Sequence, residues 1–119
     1  MSRHDARISL LQMRDHAAEA VAMAGGRSPD DLDDDRVLEL VLSRLVEIVG
    51  EAATRVPEPI RAAHPQVPWR QIIGMRNRLI HGYDAVDLDV LWQIVAEDLP
   101  ALVAALDGIL DELADADRA

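Results

Sequence analysis

Cysteine is absent from the chain, so disulfides, zinc–thiolate sites and thiol nucleophiles are excluded, and nothing in the composition points to an oxidising compartment. The cytoplasm is the expected location. Phenylalanine is absent too, and the aromatic residues are two Trp and one Tyr, although 50% of the residues are apolar. The core must therefore be built from Leu, Val, Ile and Ala, which suits packed helices. Long apolar runs are also missing. No stretch approaches the roughly 18 apolar residues that a membrane span needs, and the charged N-terminus from Met1 through Ala6 is not followed by an apolar segment, so neither export nor insertion is expected. A chain of 119 residues reads as one domain, 1–119, which buries roughly 65% of the surface its unfolded form exposes.

Lysine is the remaining absence: all twelve basic residues are Arg, which a GC-rich coding bias explains as readily as phosphate recognition by planar forks does. The net charge of −10 argues against sequence-independent binding of nucleic acid, because phosphate contacts need clustered cations. The distribution of charge argues the other way. Between Pro59 and Tyr83 stand Arg61, Arg70, Arg76 and Arg78 with two histidines and no acid, so this window carries +4 and the remainder −14. A basic patch sits on an acidic body.

Periodicity predicts four long amphipathic helices. The first runs from about Arg3 to Met23, with Ile8, Leu11, Ala18 and Ala22 on one stripe and Leu10, Ala17 and Val21 beside it, and Gly25-Gly26 stops it. The strongest pattern follows the acid run at Asp30–Asp35: Leu38, Val41, Leu42, Leu45, Ile48, Val49, Ala52, Ala53 and Val56. The acids do not form a calcium loop, because the positions that would need Gly and Glu hold Asp35 and Val41. They read instead as helix N-terminal carboxylates, with Ser28 and Asp31 as a capping box. Prolines 57, 59, 65 and 68 make a connector with one helical turn at Pro59–Ala63, and Pro68 opens a helix from Trp69 that ends at Gly82. The last helix spans about Asp87 to Leu113, and Pro100 should kink it. Short connections imply an all-α, up-and-down bundle of four long helices plus a short extra one.

The segment Arg76-Asn77-Arg78-Leu79-Ile80-His81-Gly82-Tyr83 packs two cations, an amide, an imidazole and the only phenol into eight residues. Arg76 falls in the stripe 69, 72, 73, 76, 80, where an apolar residue is expected, so its guanidinium is directed toward an interior or an interface. There it pairs with Glu47, Glu51 or Glu97 or reaches along the groove to water as a structural arginine, or it meets a ligand phosphate. His81 alone reads equally as a favourable partner of a helix C-terminus. Together the two supply what RNA cleavage requires. An imidazole of ordinary pKa about 6.5 suits proton transfer near neutrality, and an arginine fork suits a phosphodiester oxygen. Residues five apart lie about 140° apart on an ideal helix, so Arg76 and His81 share a face only if the helix ends between them or a second subunit contributes one. Asn77 and His81 do share one, which lets the amide orient the ring. Arg78 and Arg70 are candidate RNA-phosphate contacts, and Trp69 and Trp92 read as core anchors.

These residues resemble the motif of the HEPN ribonucleases, specifically the HepT-like toxins paired with a minimal nucleotidyltransferase antitoxin. The likeness extends to Val49-Gly50-Glu51-Ala52, Val67-Pro68-Trp69, Trp92-Gln93-Ile94-Val95 and Asp98-Leu99-Pro100, and so covers essentially the whole chain. The resemblance implies a helical bundle, a homodimer with the active site at its interface, and RNA cleavage with no metal or other cofactor. It further implies Arg76 and His81 as catalytic, Asn77 as supporting, and Tyr83 as the acceptor of AMP from the antitoxin; from the residues alone, Tyr83 reads equally as a ring covering the helix end. A competing expectation is a non-catalytic module that binds nucleotide or regulates a nucleotidyltransferase through the same cations. A third is a helical dimerisation protein with a structural Arg76.

Overall fold

The computed structural model describes residues 3–81 and 85–118; of Arg3, His4 and His81 it describes the backbone alone. The architecture is all-α. Three long helices, α1 (Arg3–Ala24), α3 (Arg36–Thr54) and α8 (Leu99–Arg118), form the body, with α1 packed against both of the others. Short helices join them: α2 (Pro29–Asp34), α4 (Glu58–Ala63), α5 (Trp69–Ile73), α6 (Met75–Leu79) and α7 (Leu88–Gln93). Two-residue strands β1 (Ile80–His81) and β2 (Ala85–Val86) pair antiparallel, Ile80 opposite Val86 and His81 opposite Ala85.

Being flanked on two sides decides which face α1 buries. Ala6, Leu10, Met13, Ala17, Ala20 and Ala24 recur every three or four residues and are buried, and the four alanines let neighbouring backbones approach closely. The stripe expected through Ile8 and Ala22 is thus corrected: Ile8 is 45% exposed and the core lies on the adjoining stripe. Arg14 ties α1 to α8 through Asp107, Nε to Oδ1 at 2.8 Å. In α3 most of the predicted pattern holds, with Leu38, Leu42, Leu45, Val49, Ala52 and Ala53 buried; Val41 and Ile48 are only half-buried, and Val46, outside the predicted pattern, is buried as well.

The connections follow local chemistry. Gly26 takes φ +77, the left-handed conformation that glycine adopts without steric cost, and turns the chain out of α1. Ser28 accepts from the Asp31 amide at 3.3 Å while the Asp31 carboxylate accepts from the Ser28 amide at 2.8 Å, completing the capping box on α2. Asp35 then caps α3 by accepting from the Leu38 amide at 3.0 Å. The acid run thus serves two helix starts, because α2 forms ahead of α3. Pro100 lacks the amide that would bond the Ala96 carbonyl. The chain accommodates this through a π-helical stretch at Ile94–Asp98, where the Leu99 amide reaches back to Ile94.

The fourth long helix, expected from Trp69 to Gly82, is replaced by α5 and α6, broken at Gly74 with φ −85 and ψ 1. Both lean on α3. Trp69 is a buried anchor whose indole N–H donates to the His64 carbonyl at 3.0 Å, while Trp92 is half-buried against the core. No helix among the described residues is long and apolar enough to cross a membrane.

Candidate active site

Gly74 determines what the motif presents. A straight helix would turn 69, 72, 73, 76 and 80 inward; the tighter turn at Gly74 advances the line by one residue, so Trp69, Ile72, Met75 and Leu79 are buried. Of the two placements expected for Arg76, an interior and an interface, the interior one is therefore corrected. Its side chain is 59% exposed, and Nε stands 4.0 Å from Oε1 of Glu47 on α3. Glu47 also receives the Arg44 Nη1 at 3.1 Å. A surface pair at that separation contributes at most about 1 kcal/mol, so it orients Arg76 without committing it.

Arg76 and Glu47 border a small cavity of about 110 Å³, with Ser43, Leu79, Ile80 and Val86. The Ser43 hydroxyl is buried there and has no hydrogen-bond partner among the described residues. An unpaired hydroxyl in water-poor surroundings costs about 1–3 kcal/mol, which is tolerated where a ligand completes the bond. Ser43 was missed from sequence, because a serine within an amphipathic helix gives no signal by itself; Glu47 was visible as one of three acids within reach.

The helix ends at Leu79, and Ile80-His81 leaves as an extended strand. This meets the condition set by spacing, since an end to the helix between Arg76 and His81 removes the separation of about 140° that an ideal helix would impose. The His81 backbone is fixed opposite Ala85, while its side chain, together with Tyr83, lies outside the described residues. Asn77 is exposed on α6, and its side-chain amide makes no hydrogen bond among the described residues; because α6 ends at Leu79 and His81 lies in a strand, the helix face that Asn77 and His81 were expected to share does not form. Arg78 is engaged: Nη2 lies 3.5 Å from Oδ2 of Asp98. Arg70 is exposed on α5 and has no carboxylate partner among the described residues. Among those residues no cluster of three or more His, Asp or Glu side chains is placed to ligate a metal ion.

Comparison with known proteins bears on this arrangement. The HepT-like ribonuclease family model matches residues 13–109. The chain belongs to the HepT-like ribonuclease family. A relative named as a ribonuclease HepT, from Thermococcus cleftensis, is 43% identical over 68 residues, which are 57% of this chain and 62% of the relative. A Methanocaldococcus jannaschii protein named as an RNase is 30% identical over 86% of this chain and 94% of its own. Another, from Caldanaerobacter subterraneus, is 37% identical over 73% and 78% respectively. No solved structure matches. Family membership makes the chain a ribonuclease of the HEPN type, an RNA-cleaving enzyme by class.

Proposed function

We propose that this protein is a metal-independent endoribonuclease in which Arg76 and His81 carry the chemistry and Asn77 supports the imidazole. The observation that carries the reading is the exposed Arg76 guanidinium on a helix that stops three residues later, so that the histidine follows on a different backbone path. His81 takes the proton from a ribose 2′-hydroxyl. That oxygen attacks its own phosphorus, the bond from phosphorus to the 5′-oxygen breaks, and the departing oxygen takes up a proton. Arg76 neutralises charge that builds on the non-bridging oxygens. The products are a 2′,3′-cyclic phosphate and a 5′-hydroxyl, and no step calls for a metal.

The active form in this reading is a homodimer whose two sets of residues meet at one cleft. The outer face of α3 supports it. Val37 is 69% exposed and Leu40 51% exposed, and both lie within an arc of about 80° that also holds Glu47, the neighbour of Arg76. Apolar side chains at that exposure favour a partner surface, and a two-fold axis there brings both Arg76 residues to the seam. Leu40→Glu is expected to shift the protein toward monomer and to lower cleavage about tenfold at low protein concentration, with recovery as concentration rises. Light scattering alongside the assay checks this. An unchanged mass and unchanged rate would remove α3 as the interface.

In cells the enzyme acts as the toxin of a toxin–antitoxin pair, held in check by a nucleotidyltransferase that modifies Tyr83. The phenol oxygen attacks the α-phosphorus of ATP, diphosphate leaves, and one proton is released. The added phosphate then competes with RNA for Arg76 and His81. Incubation with the cognate nucleotidyltransferase and ATP should raise the intact mass by one AMP and stop cleavage, and Tyr83→Phe should escape both effects. A modified protein that still cleaves contradicts the regulatory role.

A further inference from the structure

We propose that the open cleft between α4 and α5 holds the single-stranded RNA that flanks the scissile phosphate, with Arg61 and Arg70 on its phosphates. The inference rests on the ribonuclease reading and adds the path of the substrate.

Two hollows flank the outward face of α5 and α6, and their charges differ. Toward α8 there is a cavity of about 180 Å³ in which Arg78 meets Glu97 and Asp98. A phosphate entering it would face two carboxylates for one guanidinium, and that guanidinium is already held 3.5 Å from Asp98. Arg78, a candidate from sequence, therefore contributes little net attraction. Toward α4 the cleft is larger, about 650 Å³, and its lining sets Arg61 and Arg70 against Glu58 alone. Hollows of roughly 300–1,000 Å³ are the size in which small ligands and ligand fragments are held.

The two arginines are prepared differently. Arg61 is preoriented, because its Nε donates to the Val56 carbonyl at 3.1 Å while Nη2 stands 3.4 Å from Glu58. The Glu58 side chain is 74% exposed, so an arriving phosphate displaces a carboxylate that is already well solvated. Arg70 has no carboxylate to give up among the described residues. Pro65, Pro68 and Ile73 add apolar walls against which a base plane packs. Arg70 and Arg76 are both exposed and lie on the consecutive helices α5 and α6, so a strand seated on Arg70 continues along the segment that carries Arg76.

The test uses the full chain carrying His81→Ala, so that a fluorescent single-stranded oligouridine stays intact, and follows its binding against salt concentration. Each phosphate contact with a single strand adds about 0.7 to the slope of log affinity on log salt. Arg70→Ala should lower the slope by about 0.7, and Arg61→Ala/Arg70→Ala by about 1.4, whereas Arg78→Ala should leave it unchanged. Arg70→Glu, at an exposed position where folding is not at risk, should weaken binding further. Wild-type cleavage together with unaltered slopes in the Arg70 variants overturns the cleft and leaves the ribonuclease standing. A wild type that neither binds nor cuts RNA overturns both.

Discussion

Arg76→Ala and His81→Ala are each expected to reduce RNA cleavage by at least a hundredfold and to leave the protein folded. Loss of a general base typically costs about 10² to 10⁴ in rate, and loss of a charge-stabilising donor about 10² to 10³. What sets this result apart is the stability arm. A buried structural arginine, the blandest account of position 76, would cost several kcal/mol when removed because its carboxylate partner would be stranded. Arg76 is instead more than half exposed, and its 4.0 Å approach to Glu47 is too long and too solvated to hold the fold. Its removal should shift stability by less than about 1 kcal/mol. Cleavage rates and thermal melts of the two variants, read together, separate a catalytic cation from a structural one. A large drop in melting temperature with proportional loss of activity supports the structural account.

The second large effect comes from Gly50→Val. Gly50 is buried where α3 meets α5, and a Cβ built on it stands 3.1 Å from the Ile72 carbonyl oxygen and 3.6 Å from that of Ile73. Those carbonyls belong to the last two residues of α5, immediately before the break at Gly74. Valine adds two further methyl groups against backbone that cannot yield as a flexible side chain does. Overpacking of this kind costs about 1–3 kcal/mol, and the few tenths gained in helix propensity over glycine do not offset it. The α5–α6 unit must then move away from α3, which separates Arg76 from Glu47. Cleavage should fall by more than the loss of folded protein explains. Gly50→Ala is the milder comparison, because a gain of about 1 kcal/mol in helix propensity opposes a contact that is tight by only a few tenths of an ångström. Chemical denaturation and rate measurement on both variants check the seam; a Gly50→Val protein as stable and as active as wild type contradicts it.

The same seam explains how far the sequence could be read. The α3 pattern was legible because its apolar residues recur every three or four positions and so fall on one face of a helix, and the Ser28–Asp31 capping box because its chemistry is confined to four residues. Burial of Leu10 over Ile8 depended on α1 lying between two helices, which no local pattern specifies. The motif was legible as composition and spacing, which single out Arg76, Asn77 and His81. Their presentation was not, since Gly74 shifted the inward line onto Met75 and Leu79 and turned Arg76 to the surface. An isolated glycine inside a helical pattern was the available signal, and its cost of about 1 kcal/mol relative to alanine made a break plausible without locating the new face. Arg78 looked like Arg70 in sequence. Only the fold brought Asp98, 20 residues onward, against one of them.

The most direct test of the central claim is cleavage of a mixed RNA in excess EDTA by wild-type protein whose intact mass shows no added AMP, with the fragment ends identified. Cutting should persist without metal and leave 2′,3′-cyclic phosphate and 5′-hydroxyl ends. Unmodified protein that is inert on a broad set of RNAs, or that cuts only when metal is supplied and leaves 5′-phosphate ends, would contradict metal-independent cleavage by Arg76 and His81.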